Sequence, residues 1–97
     1  MHYFLVISCS DNKEKTEKFL NKVEEVYPIG DSFTIAENAK IIRDAKISIP
    51  SMIQKRLFPD EQLSEYGRSL ITPLAPNYWG YHGSDLWAWL EEKPSNE

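Results

Sequence analysis

The stretch YFLVISC, residues 3–9, decides the fold. It is a short, continuous run of mostly apolar residues rich in aromatic and β-branched types, and such a run predicts a central strand covered on both faces. Its apolar part, residues 3–7, is far too short to span a lipid bilayer. We therefore expect the core of the protein to form around this strand.

The residues that follow this strand predict an amphipathic helix over Lys13–Val26. Ser10, Asp11 and Asn12 are all residue types that cap the start of a helix. Lysines and glutamates then alternate with a second set of side chains at helical spacing. The side predicted to face the core consists of Thr16, Phe19, Leu20, Val23 and Val26. A proline and a glycine at positions 28 and 30 end the helix.

The middle of the chain contains one clear strand and one ambiguous segment. Ser32–Ala36 predicts a strand with Phe33 and Ile35 on one face. Residues 40–48 fit either a helix or a third strand paired with the second, because isoleucines occur there at spacings that suit both. Pro50 limits a helix at this point and can open a new one.

The last third of the chain predicts a strand and a helix. Residues 68–75 contain the strand, and Pro73 places it near a sheet edge or a strand end because proline cannot donate to the ladder. Residues 77–83 are a turn-rich connector. Ser84 and Asp85 can cap a final helix over residues 86–92.

The order of these elements predicts an α/β fold. With a strand in residues 40–48, the order is β-α-β-β-α-β plus a C-terminal helix. That is the ferredoxin-like α+β sandwich, an antiparallel four-stranded sheet with two helices on one face. With a helix there instead, the order is β-α-β-α-β. We expect the ferredoxin-like order.

Length and composition predict one globular domain. The chain has 97 residues, of which 41% are hydrophobic and 27% are charged, and this composition argues against disorder. We expect a single domain over residues 1–93 and a disordered tail over residues 94–97. A chain of this length buries only about two-thirds of its unfolded surface, which favours oligomerisation.

The charge balance disfavours nucleic acid as a partner. The formal net charge is -4, and the basic residues are spread along the chain, whereas phosphate binding needs clustered Lys and Arg. Cys9 is the only cysteine, so an intramolecular disulfide is excluded. The N-terminus lacks the pattern of a signal peptide. We therefore expect a cytoplasmic protein that binds no membrane.

Aromatic residues are concentrated near the C-terminal end, where all three tryptophans lie within eleven residues. Such a cluster closes a core or forms a contact surface, and its acidic neighbours disfavour base stacking. Trp87 and Trp89 lie about 200° apart on a helix, so we expect one in the core and the other at an interface. The expected partner-binding residues are Tyr78, Trp79, Tyr81, His82, Trp87 and Trp89.

Three segments resemble the small CRISPR-associated integration-complex protein and its SinR-like relatives. Residues 3–11 resemble the first strand of that family, and residues 32–35 resemble its second strand. Residues 70–74, leading into Trp79 and then residues 87–90, resemble the strand, aromatic linker and Trp-Leu helix that end SinR-like chains. The resemblance covers most of the chain and implies a ferredoxin-like fold.

The resemblance also implies a metal-binding aspartate at the end of the first strand, as in the nuclease members of the family. That aspartate would fall on Cys9 or Ser10 here, and the nearest acid is Asp11. A shift of one position along a strand turns a side chain to the opposite face, so we expect no intact active site. The alternative is a nuclease in which Asp11 is catalytic and binds Mg²⁺ together with Glu14.

The remaining chemically active residue types have simpler interpretations. Asp11 and Glu14 are expected to cap a helix and to favour its positive end. Cys9, at the edge of the apolar run, is expected to be buried as a small hydrophobic residue. His2 and His82 are eighty residues apart and have no cysteine or carboxylate pattern around them, so they predict no zinc site. We expect no cofactor.

Together these observations predict a small cytoplasmic protein-interaction module. We expect it to form a homodimer and to bind another protein as a scaffold, regulator or inhibitor. Its small acidic format also fits a phage-encoded or defence-related inhibitor. Two alternatives stay open: a metal-dependent nuclease of the family that the chain resembles, and an acidic decoy for a nucleic-acid-binding protein.

Overall fold

The first strand lies inside a four-stranded antiparallel sheet. The computed structural model describes residues 1–59, 63–75 and 84–91. Strand β1, His2–Ser8, pairs on one side with β3, Ala39–Asp44, and on the other with β4, Ser69–Pro73. Strand β2, Ser32–Ala36, pairs with the far side of β3. The strand order is β2-β3-β1-β4, so β2 and β4 are the outer strands.

Helices cover both faces of this sheet. Helix α1, Lys13–Val26, and helix α2, Pro50–Leu57, pack on one face. Helix α3, Ser84–Glu91, packs on the other. A short 3-10 turn, Leu63–Glu65, precedes β4. The fold is therefore mixed α/β, with a helix layer on each side of the sheet.

Each face has its own apolar core. The core under α1 and α2 contains Phe4, Val6, Phe19, Val23, Tyr27, Ile42, Ile53, Leu57 and Phe58. The core under α3 is smaller and is built on Ile41, Leu86 and Leu90. Because side chains alternate along a strand, the single apolar stretch of β1 contributes Phe4 and Val6 to the first core and Tyr3 and Leu5 to the edge of the second.

Strand β3 resolves the ambiguity of residues 40–48. All six of its residues are buried, with Ile42 in the core under α1 and α2 and Ile41 in the core under α3. A strand covered on both faces has no polar side, which is why its sequence also fitted a helix. The expectation of a third strand is confirmed.

Most of the other predicted elements are also confirmed. Helix α1 and strand β2 have the predicted bounds, and Pro50 is the first residue of α2. Strand β4 is an outer strand, as Pro73 predicts. Helix α3 begins at Ser84, earlier than predicted, so Ser84 and Asp85 are its first residues and not its cap.

Two predictions about the end of β1 are wrong. Cys9 is exposed because β1 ends at Ser8, which leaves Cys9 outside the sheet layer. The cap of α1 is Asn12 and not Asp11, since the Asn12 side chain accepts a hydrogen bond from the Lys15 N–H at 3.1 Å. Glu14 lies in the first turn of α1, as predicted.

Two further expectations concern membrane binding and a disordered C-terminal tail. Within the described ranges, no helix is long and apolar enough to cross a lipid bilayer. The predicted tail, residues 94–97, lies outside the described residues.

Candidate interaction surface

Trp89 is fixed between α3 and the β2 side of the sheet. Its ring centroid lies 5.7 Å from that of Tyr3, edge to face, and 5.7 Å from that of Phe33. Its indole N–H donates to the Gly30 carbonyl at 3.3 Å. The Arg43 guanidinium lies 5.3 Å from the ring centroid, where a cation is attracted to the ring face. Trp89 is half-buried and packs against the core under α3.

The Gly30 turn that receives Trp89 depends on glycine. Gly30 has a φ of 103°, a backbone conformation that glycine adopts without the steric cost that a Cβ would add. The turn presents its carbonyl to the indole and leaves Ile29 fully exposed.

Trp87 lies on the other flank of α3. Two positions along a helix correspond to a rotation of about 200°, so Trp87 points away from the side that Trp89 occupies. Trp89 contacts Phe33 of β2, and Trp87 occupies the opposite flank of α3. Trp87 is half-buried and packs against the core under α3. The two tryptophans therefore have different surroundings.

The inner edge of β4 is bonded to β1. The Cys9 N–H donates to the Arg68 carbonyl at 2.7 Å, and the Leu74 N–H donates to the Tyr3 carbonyl at 2.9 Å. Hydrogen-bonded pairs recur at every second residue of an antiparallel ladder. Residues 68, 70, 72 and 74 therefore direct their backbone groups toward β1.

The outer edge of β4 is open. The backbone N–H and C=O groups of Ser69 and Ile71 point away from β1, because they alternate with the bonded positions. No strand within the described residues pairs with this edge. Pro73 also has its carbonyl on this side but has no N–H. The edge therefore offers two complete pairs of donor and acceptor, at Ser69 and Ile71.

An exposed leucine lies between these two residues. The Leu70 residue is 53% exposed. It pairs with Ile7 in the β1–β4 register, and directly opposite residues lie on the same face of a sheet. Leu70 therefore lies on the face that α3 and Trp87 occupy. We call the outer edge of β4, together with Leu70, the β4 surface.

The outer edge of β2 is obstructed. Ile29 forms an isolated bridge with Ser32 at the start of this strand. The β2–β3 register then shifts between Thr34 and Ala36, and irregularities of this kind twist an edge and hinder the addition of another strand. The two edges of the sheet therefore differ in their capacity to accept a partner.

Buried cations further fix the β2 side. Lys40, on β3, is buried and donates to the Glu24 carboxylate at 2.7 Å and to the Thr34 hydroxyl. Arg43, also on β3, lies 3.4 Å from an Asp31 oxygen. These pairs join β3 to α1, to β2 and to the turn before β2.

A buried carboxylate ties the helix layer to the sheet. Asp44 Oδ1 accepts from the N–H groups of Lys46 at 2.8 Å and Ile47 at 2.9 Å. Its Oδ2 accepts from the Tyr27 hydroxyl at 2.8 Å and from Arg56 Nη1 at 3.1 Å. Four donors occupy both oxygens, so we interpret Asp44 as a structural residue and not as a substrate-binding one.

This network shifts two pKa values in opposite directions. Burial raises the pKa of Tyr27, and the hydrogen bond to Asp44 raises it further. Burial alone would also raise the pKa of Asp44, but the hydrogen bonds from Ile47, Lys46 and Tyr27, with the charge of Arg56, outweigh it and lower the pKa of that carboxyl. The charged form of Asp44 is therefore the stable one in the fold.

The alternative metal site falls beside an open cleft of about 890 Å³ between the start of α1 and the start of β4. Asp11 lines this cleft together with Lys15 and Arg68. Glu14 lies on the first turn of α1 and is exposed. Among the residues that the structure describes, no three His, Cys, Asp or Glu side chains gather closely enough to hold a metal ion.

Of the six predicted partner-binding residues, the structure describes two. Trp87 and Trp89 are both half-buried and pack against the core under α3, and a partner contact of either one stays a prediction. Tyr78, Trp79, Tyr81 and His82 lie outside the described residues. The sequence analysis did not identify Leu70, Ser69 or Ile71 as contact residues. Pro73 was the one signal available, because it marked the strand as an edge.

Comparison with known proteins gives no relative from which a function could be transferred. No model of a known protein family matches the chain, and no curated protein is similar enough in sequence to count as a relative. The relationship to the CRISPR-associated family therefore stays a prediction. The function has to be argued from the surfaces described above.

Proposed function

We propose that this protein is an interaction module that binds other proteins through the β4 surface and has no active site of its own. The observation that carries the proposal is the open edge of β4, where Ser69 and Ile71 direct backbone donors and acceptors outward beside a Leu70 that is 53% exposed.

Strand addition explains how such an edge would bind. A partner strand gains affinity from main-chain hydrogen bonds and specificity from the side chains that flank them. Soluble proteins usually protect outer strands with charged residues, bulges or proline, because open edges pair with other chains. Strand β4 has this protection only at its ends, in Arg68 and Pro73, whereas its centre is Leu70 and Ile71. An apolar, open centre supports a binding role.

The framework behind this surface is proposed to be ferredoxin-like. Two observations support this: the element order β-α-β-β-α-β, and the packing of α1 and α2 against the same face of the sheet. Helix α3 is then an addition on the opposite face. It contains residues 87–90, which are part of the segment that resembles the end of SinR-like chains. The same helix therefore supports the proposed relationship and carries Trp87, a proposed contact residue.

The proposed role is to scaffold, regulate or inhibit a larger protein in the cytoplasm, which includes the role of a phage- or defence-related inhibitor. The net charge of -4 and the pairing of Lys40 and Arg43 with acids support a protein partner over nucleic acid, because nucleic acid requires a continuous cationic surface. The proposed partners are a second copy of this chain and another protein.

A charge introduced on each outer strand tests this proposal. Leu70→Glu adds a charge to the β4 surface, and Ala36→Glu adds the same charge to an exposed position on β2. We expect both variants to fold, since both side chains are exposed. In cells of the natural host, chemical cross-linking should join the wild-type protein and Ala36→Glu to the same proteins, while Leu70→Glu should lose these products. The same products from all three proteins would show that binding does not use β4.

A further inference from the structure

We infer that one partner on the β4 surface is a second copy of the same chain, paired antiparallel through β4 with Leu70 on the two-fold axis. The inference rests on the proposed function and specifies both the partner and the register. It depends on three features of β4: the positions of its outward backbone groups, the exposure of Leu70, and the location of Pro73.

The outward groups of β4 are complementary to themselves. With Leu70 on the axis, Ser69 of each copy lies opposite Ile71 of the other. Both residues direct their N–H and C=O groups outward, so each of the two pairs can exchange two hydrogen bonds. All the complete donor and acceptor pairs of the edge are then satisfied.

Neighbouring two-fold registers are less favourable. With Ile71 on the axis, Ser69 lies opposite Pro73, which has no N–H to donate. With Ser69 on the axis, Ile71 lies opposite Gly67. Gly67 has a φ of 79°, outside the strand region, and an added Cβ there would lie 2.8 Å from Ser10 Cβ. Gly67 therefore belongs to a tight turn, and the register with Leu70 on the axis is the one that fits β4.

The same register buries exposed apolar surface. The two Leu70 residues occupy a non-hydrogen-bonded pair, where opposite side chains approach most closely. Arg68 lies opposite Thr72 of the second copy, so no like charges face each other across the contact. An exposed leucine thereby becomes the centre of an apolar contact.

The other surfaces of the sheet limit the assembly to two copies. The β2 edge is obstructed by the Ile29 bridge and by the register shift after Thr34. One competent edge per chain gives a closed two-fold dimer, whereas two would give an open filament. Helix α3 covers the second face of the sheet, so two bare sheet faces are not available to stack. The predicted assembly is a dimer with a continuous eight-stranded sheet.

Site-specific disulfide formation tests this register. The test is made in a Cys9→Ser background, because Cys9 is exposed and would form disulfides of its own. Leu70→Cys should place two thiols at the axis, within the short Cβ–Cβ distance that a disulfide requires. Thr72→Cys is the matched control on the same strand and face. Its two thiols would lie four residues apart along the paired strands, about 14 Å.

Under mild oxidation, Leu70→Cys should give roughly tenfold more disulfide-linked dimer than Thr72→Cys. Circular dichroism of the reduced variants checks that both fold. Equal cross-linking of the two variants, or no dimer from folded Leu70→Cys, would overturn the inference. If Leu70→Cys fails while Leu70→Glu still loses its cross-links to another protein in cells, the self-pairing is wrong and the proposed function stands. If both tests fail, both proposals are wrong.

Discussion

The two outer strands of this sheet are built differently. Strand β2 is tied to its surroundings by long-range contacts: Thr34 binds Lys40, Phe33 packs on Trp89, and Ile29 bridges Ser32. Within the described residues, strand β4 is bonded on its inner edge only, and its central leucine is 53% exposed. In that part of the chain, contacts of the protein itself close the β2 edge, whereas the outer edge of β4 carries the proposed binding surface.

The difference between the two outer strands is the basis on which we assign different roles to Trp87 and Trp89. Trp89 lies on the flank of α3 that faces β2, and it joins the contacts that close that side. Trp87 lies on the opposite flank of α3, and we propose that it belongs to the binding surface. In this proposal, a helix of eight residues stabilises the β2 side through Trp89 and supplies a contact residue through Trp87. The predictions below test whether these two roles can be separated.

Of the substitutions considered, truncating the two tryptophans should have the largest effects on stability and self-association. Trp89→Ala removes contacts with Tyr3, Phe33, Gly30 and Arg43, and should cost about 3–5 kcal/mol of unfolding free energy. Trp87→Ala should cost less, about 1–2 kcal/mol, if Trp87 serves the proposed binding surface more than the fold of the single chain. Thermal or urea unfolding measures both values.

Self-association should be affected more by Trp87→Ala than by Trp89→Ala, which is the opposite of the order expected for stability. Sedimentation of the folded variants should show weaker self-association for Trp87→Ala and unchanged self-association for Trp89→Ala. If both substitutions unfold the monomer and neither alters association, both tryptophans belong to the core, and the proposed assignment of Trp87 to the binding surface is wrong.

A substitution at Asp44 sharpens the comparison because this carboxylate stabilises the fold without contacting either outer strand. Asp44→Asn should cost about 2 kcal/mol at neutral pH, since it weakens hydrogen bonds to a charged group. The folded protein lowers the pKa of Asp44. Its contribution is therefore fully present above the unfolded pKa of about 4 and is lost as the pH falls through the folded value.

Urea unfolding between pH 7 and pH 3 measures this dependence. The stability difference between the wild type and Asp44→Asn should shrink as the medium becomes acidic. A difference that stays constant over this range would mean that the charge of Asp44 does not stabilise the fold. Self-association at pH 7 should be the same in both proteins, because the β4 surface is intact in both.

The sequence predicted most of the fold because its signals are local. The spacing of Phe19 and Val23 gave α1, and the apolar run of residues 3–7 gave β1. Strand β3 was ambiguous because Ile41 and Ile42 are buried on opposite faces, so the strand shows no alternation. The exposure of Cys9 could not be predicted, since it depends on β1 ending one residue earlier than its apolar pattern.

The candidate surface was predictable only in part. Pro73 marked β4 as an outer strand, and the helical rotation placed Trp87 and Trp89 on opposite flanks of α3. The contacts that close the β2 side were not predictable, because they join residues far apart in sequence, such as Trp89 with Gly30 and Lys40 with Glu24. The outer position of β4 among the described strands follows from the order β2-β3-β1-β4, which required the three-dimensional structure.

Residue-resolved amide hydrogen exchange at increasing protein concentration tests the central claim most directly. In a dimer paired through β4, the outward N–H groups of Ser69 and Ile71 become hydrogen-bonded, while the Thr34 N–H on β2 keeps its surroundings. Raising the concentration to ten times the dimer dissociation constant should slow exchange at Ser69 and Ile71 about fivefold, because the monomer fraction falls by mass action, and should leave Thr34 unchanged. Exchange at Ser69 and Ile71 that does not depend on concentration, or that slows equally at Thr34, would contradict the account.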